Sequence, residues 1–274
     1  MFPFVEIFGR NIGLFSIMVL CGVFSSGIYA SSVAKKHKLN STEIIIFMLF
    51  LSVGVIIGGT LLFAFVNIVT NKSIIQASII NIGIAGFFPI LAFIFGGSIF
   101  YGGLIGGLIA AWVCTRKNNV YLNYIDIVAV SIPLFHFFGR IGCFLGGCCF
   151  GIESTFGFTF QNSIIVAANG VSRFPVQLLE ALFNMSLFFL LNYCFQNGKF
   201  RNRLVYVYLL IYSTGRFFIE FLRGDEYRGI WGFFSTSQII SVMIFLFVLI
   251  VHFQSRRSVR LSNYTISSSI PSSE

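Results

Sequence analysis

The sequence predicts an all-α polytopic membrane protein with about seven transmembrane helices, and three observations carry that prediction. Of 274 residues, 57% are apolar and only 10% are charged, whereas a soluble domain has roughly 45–50% and about 25%. The apolar residues gather in runs close to the roughly 20 residues that cross a bilayer as a helix. Lys and Arg collect just beyond those runs. A soluble globular domain is excluded because the charge cannot cover a water-facing surface, and disorder, collagen and a coiled coil fall with it.

The apolar runs lie near 12–34, 43–66, 97–115, 124–142, 175–197, 204–222 and 236–254. The first has no strongly basic segment before it and Lys35, Lys36 and Lys38 after it, so it reads as a retained span rather than a cleaved signal peptide. The second returns to the opposite face. Residues 78–96 are also apolar and uncharged. A crossing there would invert every later span and set the remaining basic flanks opposite Lys35–Lys38. The stretch is therefore read as an outer-face arm or a re-entrant segment, broken by Pro89. The third run ends in Arg116 and Lys117, the fifth in Lys199, Arg201 and Arg203, and the seventh in Arg256, Arg257 and Arg260. These four clusters hold 11 of the 18 positive charges. Retention of Lys and Arg on cytoplasmic flanks sets the N-terminus outside and the C-terminus in the cytoplasm. It also explains the net charge of +9 without a nucleic-acid partner. Residues 1–260 read as one transmembrane domain. The Ser-rich residues 261–274 read as a disordered cytoplasmic tail.

Ionisable groups inside apolar runs are expensive and mark functional sites. Arg140 ends the fourth run, Glu180 lies early in the fifth, and Arg216, Glu220 and Arg223 lie late in the sixth. By the topology above, all five fall toward the outer half of the membrane. Arg216 and Glu220 are four apart and share a helix face. Two readings stand: a helix-internal ion pair, or a cationic site for an anionic head group. Three arginines against two glutamates leave one positive charge, and the guanidinium fork suits a phosphate. Asp126 reads as a structural cap, and His136 as structural.

Two glycine-rich stretches stand out. Residues 96–107 contain the overlapping pairs Gly102/Gly106 and Gly103/Gly107, whose spacing serves close helix packing or room for a lipid. Residues 139–151 read as a loop able to present backbone N–H groups to an anion. This segment carries Cys143, Cys148 and Cys149, half of the six cysteines. Packing, a disulfide and a reactive thiol all remain open for them. With no CxxC and no neighbouring His pair, the spacing gives no zinc signature, so no metal and no cofactor are expected. Cys21, Cys114 and Cys194 read as small buried hydrophobes.

From about Gly96 to Arg223, ordered blocks of this sequence resemble the prolipoprotein diacylglyceryl transferase family. They are Tyr101-Gly-Gly-Leu-Ile-Gly-Gly, Asp126, Gly139-Arg-Ile-Gly-Cys-Phe, Phe174-Pro-Val-Gln-Leu-Leu-Glu180 and Gly215-Arg-Phe-Phe-Ile-Glu-Phe-Leu-Arg223. The resemblance implies a seven-helix enzyme of the bacterial inner membrane with its active site toward the outer leaflet. Its reaction moves the diacylglyceryl group of phosphatidylglycerol to the lipobox cysteine thiol in a prolipoprotein signal peptide, releasing glycerol 1-phosphate. Its partners are therefore that lipid, those signal peptides and the bilayer. It implies catalytic roles for Arg140, Arg216, Glu220 and Tyr101, and head-group binding by Arg140, Arg216, Arg223, Gly102, Gly103, Gly142 and Glu180. Cys143, Cys148 and Cys149 are left as redox or accessory groups. The sequence departs from the family pattern at Tyr101, where a histidine is usual, and at Cys143, Gly146 and Cys148, where asparagine, asparagine and glutamate are usual. A tyrosine near pKa ~10 is a poorer base than a histidine near ~6.5. An active divergent transferase is thus the first reading. A related protein that binds an anionic phospholipid with cysteine-based chemistry, or a non-enzymatic lipid-binding protein, is the alternative.

Overall fold

The computed structural model describes residues 3–7, 9–72, 87–163, 165–225, 230–231 and 233–251. The chain divides into two compact units, Tyr29–Val128 and Met1–Ile28 with Ala129–Glu274. Among the described residues, five helices are long and apolar enough to cross a membrane: α1 (Leu14–Lys36), α2 (Ser41–Thr70), α5 (Ile125–Gly146) with the 3-10 turn Asn119–Tyr124 before it, α6 (Val176–Gln196), and α7 (Leu204–Ile219) with the 3-10 turn Glu220–Leu222 after it. Helices also lie on the predicted runs 97–115 and 236–254, as α4 (Phe100–Lys117) and α8 (Thr236–Val251). α8 is an apolar helix short of that length, and α4 ends in two charges. Large side chains such as Ile56, Phe65 and Val69 are 65%, 66% and 64% exposed on α2. Such a surface belongs in hydrocarbon rather than water, so the chain is a multi-pass membrane protein.

Within Tyr29–Val128, α2 and α4 meet along glycine. A Cβ added at Gly58 would strike the Gly102 carbonyl, one at Gly102 the Gly58 carbonyl, and one at Gly106 the Gly54 carbonyl. A Cβ added at Gly103 would lie 3.1 Å from Val55 Cγ1. Lipid supplies no hydrophobic drive between helices, so close backbone contact through small residues does the work. The Gly102/Gly106 spacing is thus a packing seam, answered by Gly54 and Gly58. At the far end of α2, Asn40 caps the helix by accepting from the Thr42 N–H at 2.9 Å. Tyr124 Oη donates to Asn40 O and Glu43 Oε2, both at 3.2 Å.

Pro89 lies within the described helix α3 (Phe87–Phe95). Asn67 of α2 anchors α3 by donating to Phe93 O at 2.7 Å. Of the expected arm 78–96, residues 78–86 lie outside the described residues, as does the expected tail 261–274.

Among the described residues, the other unit holds three two-stranded antiparallel sheets that the helix-only expectation did not include. β1 (Phe4–Ile7) and β2 (Arg10–Gly13) turn at Gly9, so α1 begins at Leu14. β3 (Glu153–Thr159) pairs with β4 (Ser172–Arg173), and β5 (Ile230–Trp231) with β6 (Phe234–Ser235). The segment 139–151 is corrected as well: α5 runs on through Gly146, and the loop starts at Gly147. Ile141, Phe144 and Leu145 keep the run apolar. The helix stops where Gly147 takes φ +73, with Gly147 N donating to Phe144 O and Cys148 N to Cys143 O. A left-handed residue after the last turn closes a helix in this way.

Candidate functional site

Three helices of the second unit carry polar stripes at helical spacing. On α5 the stripe is His136, Arg140 and Cys143; on α6 it is Gln177, Glu180 and Asn184; on α7 and its 3-10 turn it is Ser213, Arg216 and Glu220. All of the α6 and α7 members except Arg216 are buried at 4% exposure or less. Buried charge persists only when paired, and here the pairing is dense. Glu180 joins two helices: Arg140 Nε reaches its Oε2 at 2.5 Å and Arg216 Nη1 its Oε1 at 2.6 Å. Arg216 Nη2 reaches Glu220 Oε2 at 2.6 Å and donates to Ser237 Oγ at 3.3 Å. Arg223 Nη1 lies 3.9 Å from the same Glu220 oxygen.

A sixth charge completes the cluster. Asp225 takes the Arg223 fork with both oxygens, from Nε at 2.8 Å and Nη2 at 2.5 Å. Three guanidiniums therefore face three carboxylates, and the surplus positive charge expected from the sequence is absent among the described residues. Burial works against the Arg223 charge, but hydrogen bonds to Asp225 and nearby negative groups hold its pKa above the ordinary arginine value. Arg140 has the most open side chain of the five sequence-predicted charges at 20%, against 11% for Arg216 and 1% for Glu220.

The cysteine turn is tied into the same place. Ile152 N donates to Leu222 O and Gly224 N to Phe150 O, forming a bridge between Gly151 and Arg223. Gln177 Nε2 donates to Cys148 O at 2.8 Å. Arg173 lies 4.3 Å over the Phe150 ring and donates to Ala167 O at 2.8 Å, fastening the β3–β4 hairpin. Cys143, Cys148 and Cys149 are all free thiols. The Cys149 thiol is pulled below its ordinary pKa by its contacts with Cys143 and Cys148 first; burial opposes this, and Arg223 and Arg140 add to it.

The structure brings Arg140, Glu180, Arg216, Glu220 and Arg223 together, with Gly142 packed on Met18 and Phe15 of α1. Tyr101, Gly102 and Gly103 lie in the first turn of α4, in the unit Tyr29–Val128. His136, read as structural, stands 3.5 Å from Tyr208 Oη and beside the Tyr212 ring. Sequence reasoning missed Asp225, Gln177 and Arg173. Asp225 lies beyond the apolar run, where a carboxylate carries no cost signal. Gln177 is polar but uncharged inside such a run.

A family model described as Prolipoprotein diacylglyceryl transferase matches residues 3–254. A phosphatidylglycerol–prolipoprotein diacylglyceryl transferase of Clostridium tetani is 33% identical over 252 residues, covering 90% of this chain and 92% of the relative. One of Clostridium perfringens, named transferase 2, is 34% identical over 248 residues, covering 88% and 90%. One of Campylobacter hominis is 29% identical over 256 residues, covering 90% and 87%.

Proposed function

As the chain belongs to the prolipoprotein diacylglyceryl transferase family, we propose that it transfers the diacylglyceryl group of phosphatidylglycerol to the lipobox cysteine of prolipoproteins. The observation that carries the reading at the level of the site is Glu180 held between Arg140 and Arg216. It fixes two guanidiniums from different helices at one point, in surroundings dry enough to strengthen their attraction for a phosphate.

The substrate thiolate attacks the glyceryl carbon that bears the phosphate. The carbon–sulfur bond forms as the carbon–oxygen bond breaks, and the electron pair leaves on the phosphate oxygen of glycerol 1-phosphate. Charge grows on that oxygen, and Arg140 and Arg216 neutralise it. Glu220 orients Arg216, and Arg223 adds a third cation steadied by Asp225. Gly142 lets α5 lie close to α1 beside Arg140. The Glu220 carboxylate takes the thiol proton, or Tyr101 does so once ionised; Tyr101 stands in the sequence where the family's histidine is usual, with Gly102 and Gly103 next in the chain.

In this reading seven helices span the bacterial inner membrane, with the N-terminus outside and the C-terminus in the cytoplasm. Residues 1–260 form one membrane domain, 261–274 its cytoplasmic tail, and the charge cluster opens to the outer leaflet. The charge clusters of the sequence support that orientation. The test is expression in a strain depleted of its own transferase, with lipidation of a lipobox reporter as readout. The unaltered chain lipidates the reporter, and Arg140→Ala abolishes lipidation. A chain that is inserted in the membrane yet leaves every lipobox substrate unmodified overturns the assignment.

A further inference from the structure

Cys143, Cys148 and Cys149 lack the CxxC spacing of a zinc motif, yet the fold brings them to one point. Their three sulfurs lie within 4.8 Å of one another. A cation bonded to three sulfurs at about 2.3 Å holds them roughly 3.8–4.0 Å apart, so rotamer-scale adjustment closes the site. Convergence is built by the backbone. Cys143 sits in the last turn of α5 and is 9% exposed. Gly147 at φ +73 reverses the chain, and Cys148 N then donates back to Cys143 O at 3.1 Å. Cys149 adopts φ +53, a left-handed conformation that a residue with a side chain avoids. The turn is anchored on both flanks, by Gln177 on Cys148 O and by Ser163 Oγ on Gly147 O at 3.0 Å.

We propose that Cys143, Cys148 and Cys149 form a three-thiolate site for one soft cation, Zn2+ or Cu+. Thiolate donors select these ions over hard cations, which prefer oxygen. On binding, each thiol releases its proton to solvent as its metal–sulfur bond forms, and no electron is transferred. The bound cation clamps the end of α5 to the turn leading into the Gly151–Arg223 bridge. The site rests on the thiol geometry alone and stands or falls apart from the transfer reaction.

The test uses the full chain in detergent micelles, purified under reductant and freed of metal. ZnCl2 is titrated in one arm, and Cu+ buffered by a competing chelator in the other. Bound metal per chain is measured by elemental mass spectrometry. One equivalent of either ion is expected, and the ion bound identifies the site. Binding persists in the Cys21→Ala, Cys114→Ala, Cys194→Ala triple variant and is lost in the Cys143→Ser, Cys148→Ser, Cys149→Ser triple variant. A readout without substitution guards against misfolding: the bound ion protects three thiols from alkylation, mapped by peptide mass spectrometry to 143, 148 and 149. Failure of both ions to bind stoichiometrically overturns the proposal. So does protection mapped elsewhere, or recovery of the trio as a disulfide from membranes quenched with an alkylating agent.

Discussion

Replacing Glu180 by Gln keeps the shape of the side chain and removes the charge that joins α5 to α7. The wild-type carboxylate is 4% exposed and engages Arg140 at 2.5 Å and Arg216 at 2.6 Å. A hydrogen bond to a charged group contributes about 1.5–3 kcal/mol. The amide oxygen retains one weaker acceptor, which sets the loss at about 3 kcal/mol, at the lower end of the cost of breaking a buried ion pair. At about 1.4 kcal/mol per tenfold, the fraction of molecules with both guanidiniums in register falls roughly 100-fold. Transfer falls with it. The assay follows a fluorescent lipobox peptide in proteoliposomes of phosphatidylglycerol, with thermal unfolding of each variant recorded in parallel. The expected result is a kcat about 100-fold lower in a protein that still unfolds cooperatively. Adding Arg140→Ala to Glu180→Gln then costs far less than it does alone, because the two act as one unit. A Glu180→Gln enzyme turning over at the wild-type rate would refute the premise that this carboxylate positions the arginines.

Three further perturbations probe other parts of the molecule. Gly106→Val drives a branched side chain into the Gly54 carbonyl, an overpacking that costs about 1–3 kcal/mol; a lowered thermal midpoint in detergent is expected, and an unchanged one contradicts the seam. Gly147→Ala imposes a side chain at φ +73, 2.6 Å from Ser163 Cβ, for a loss of about 1–2 kcal/mol measurable by denaturant titration. Asp225→Asn strips the buried Arg223 of its charged partner, worth roughly 3 kcal/mol; a raised KM for phosphatidylglycerol checks it, and a KM equal to wild type removes Arg223 from the head-group site.

The helices were legible because a bilayer demands long apolar runs, and the structure places a helix on each of the seven. Arg140, Glu180, Arg216, Glu220 and Arg223 were legible for the complementary reason, since charge inside such a run is conspicuous. The extent of α5 was not. Gly139, Gly142, Gly146 and Gly147 look alike in sequence, but only the last takes a left-handed φ, and the other three continue the helix.

By itself, then, the sequence determined that the chain carries many membrane-type apolar runs, that its basic residues gather beyond them, and that five charges lie inside or at the ends of those runs. These follow from the cost of moving each group between water and hydrocarbon, a property of single residues and short windows. Tertiary structure alone decided that Glu180 is shared by two arginines, that Asp225 neutralises the third, that Gly54 and Gly58 answer Gly102 and Gly106, and that three unpatterned cysteines meet. Each is a pairing between residues, most of them distant in the chain and the rest turned together by the backbone. Such pairings are fixed by packing and charge complementarity, which no local window records.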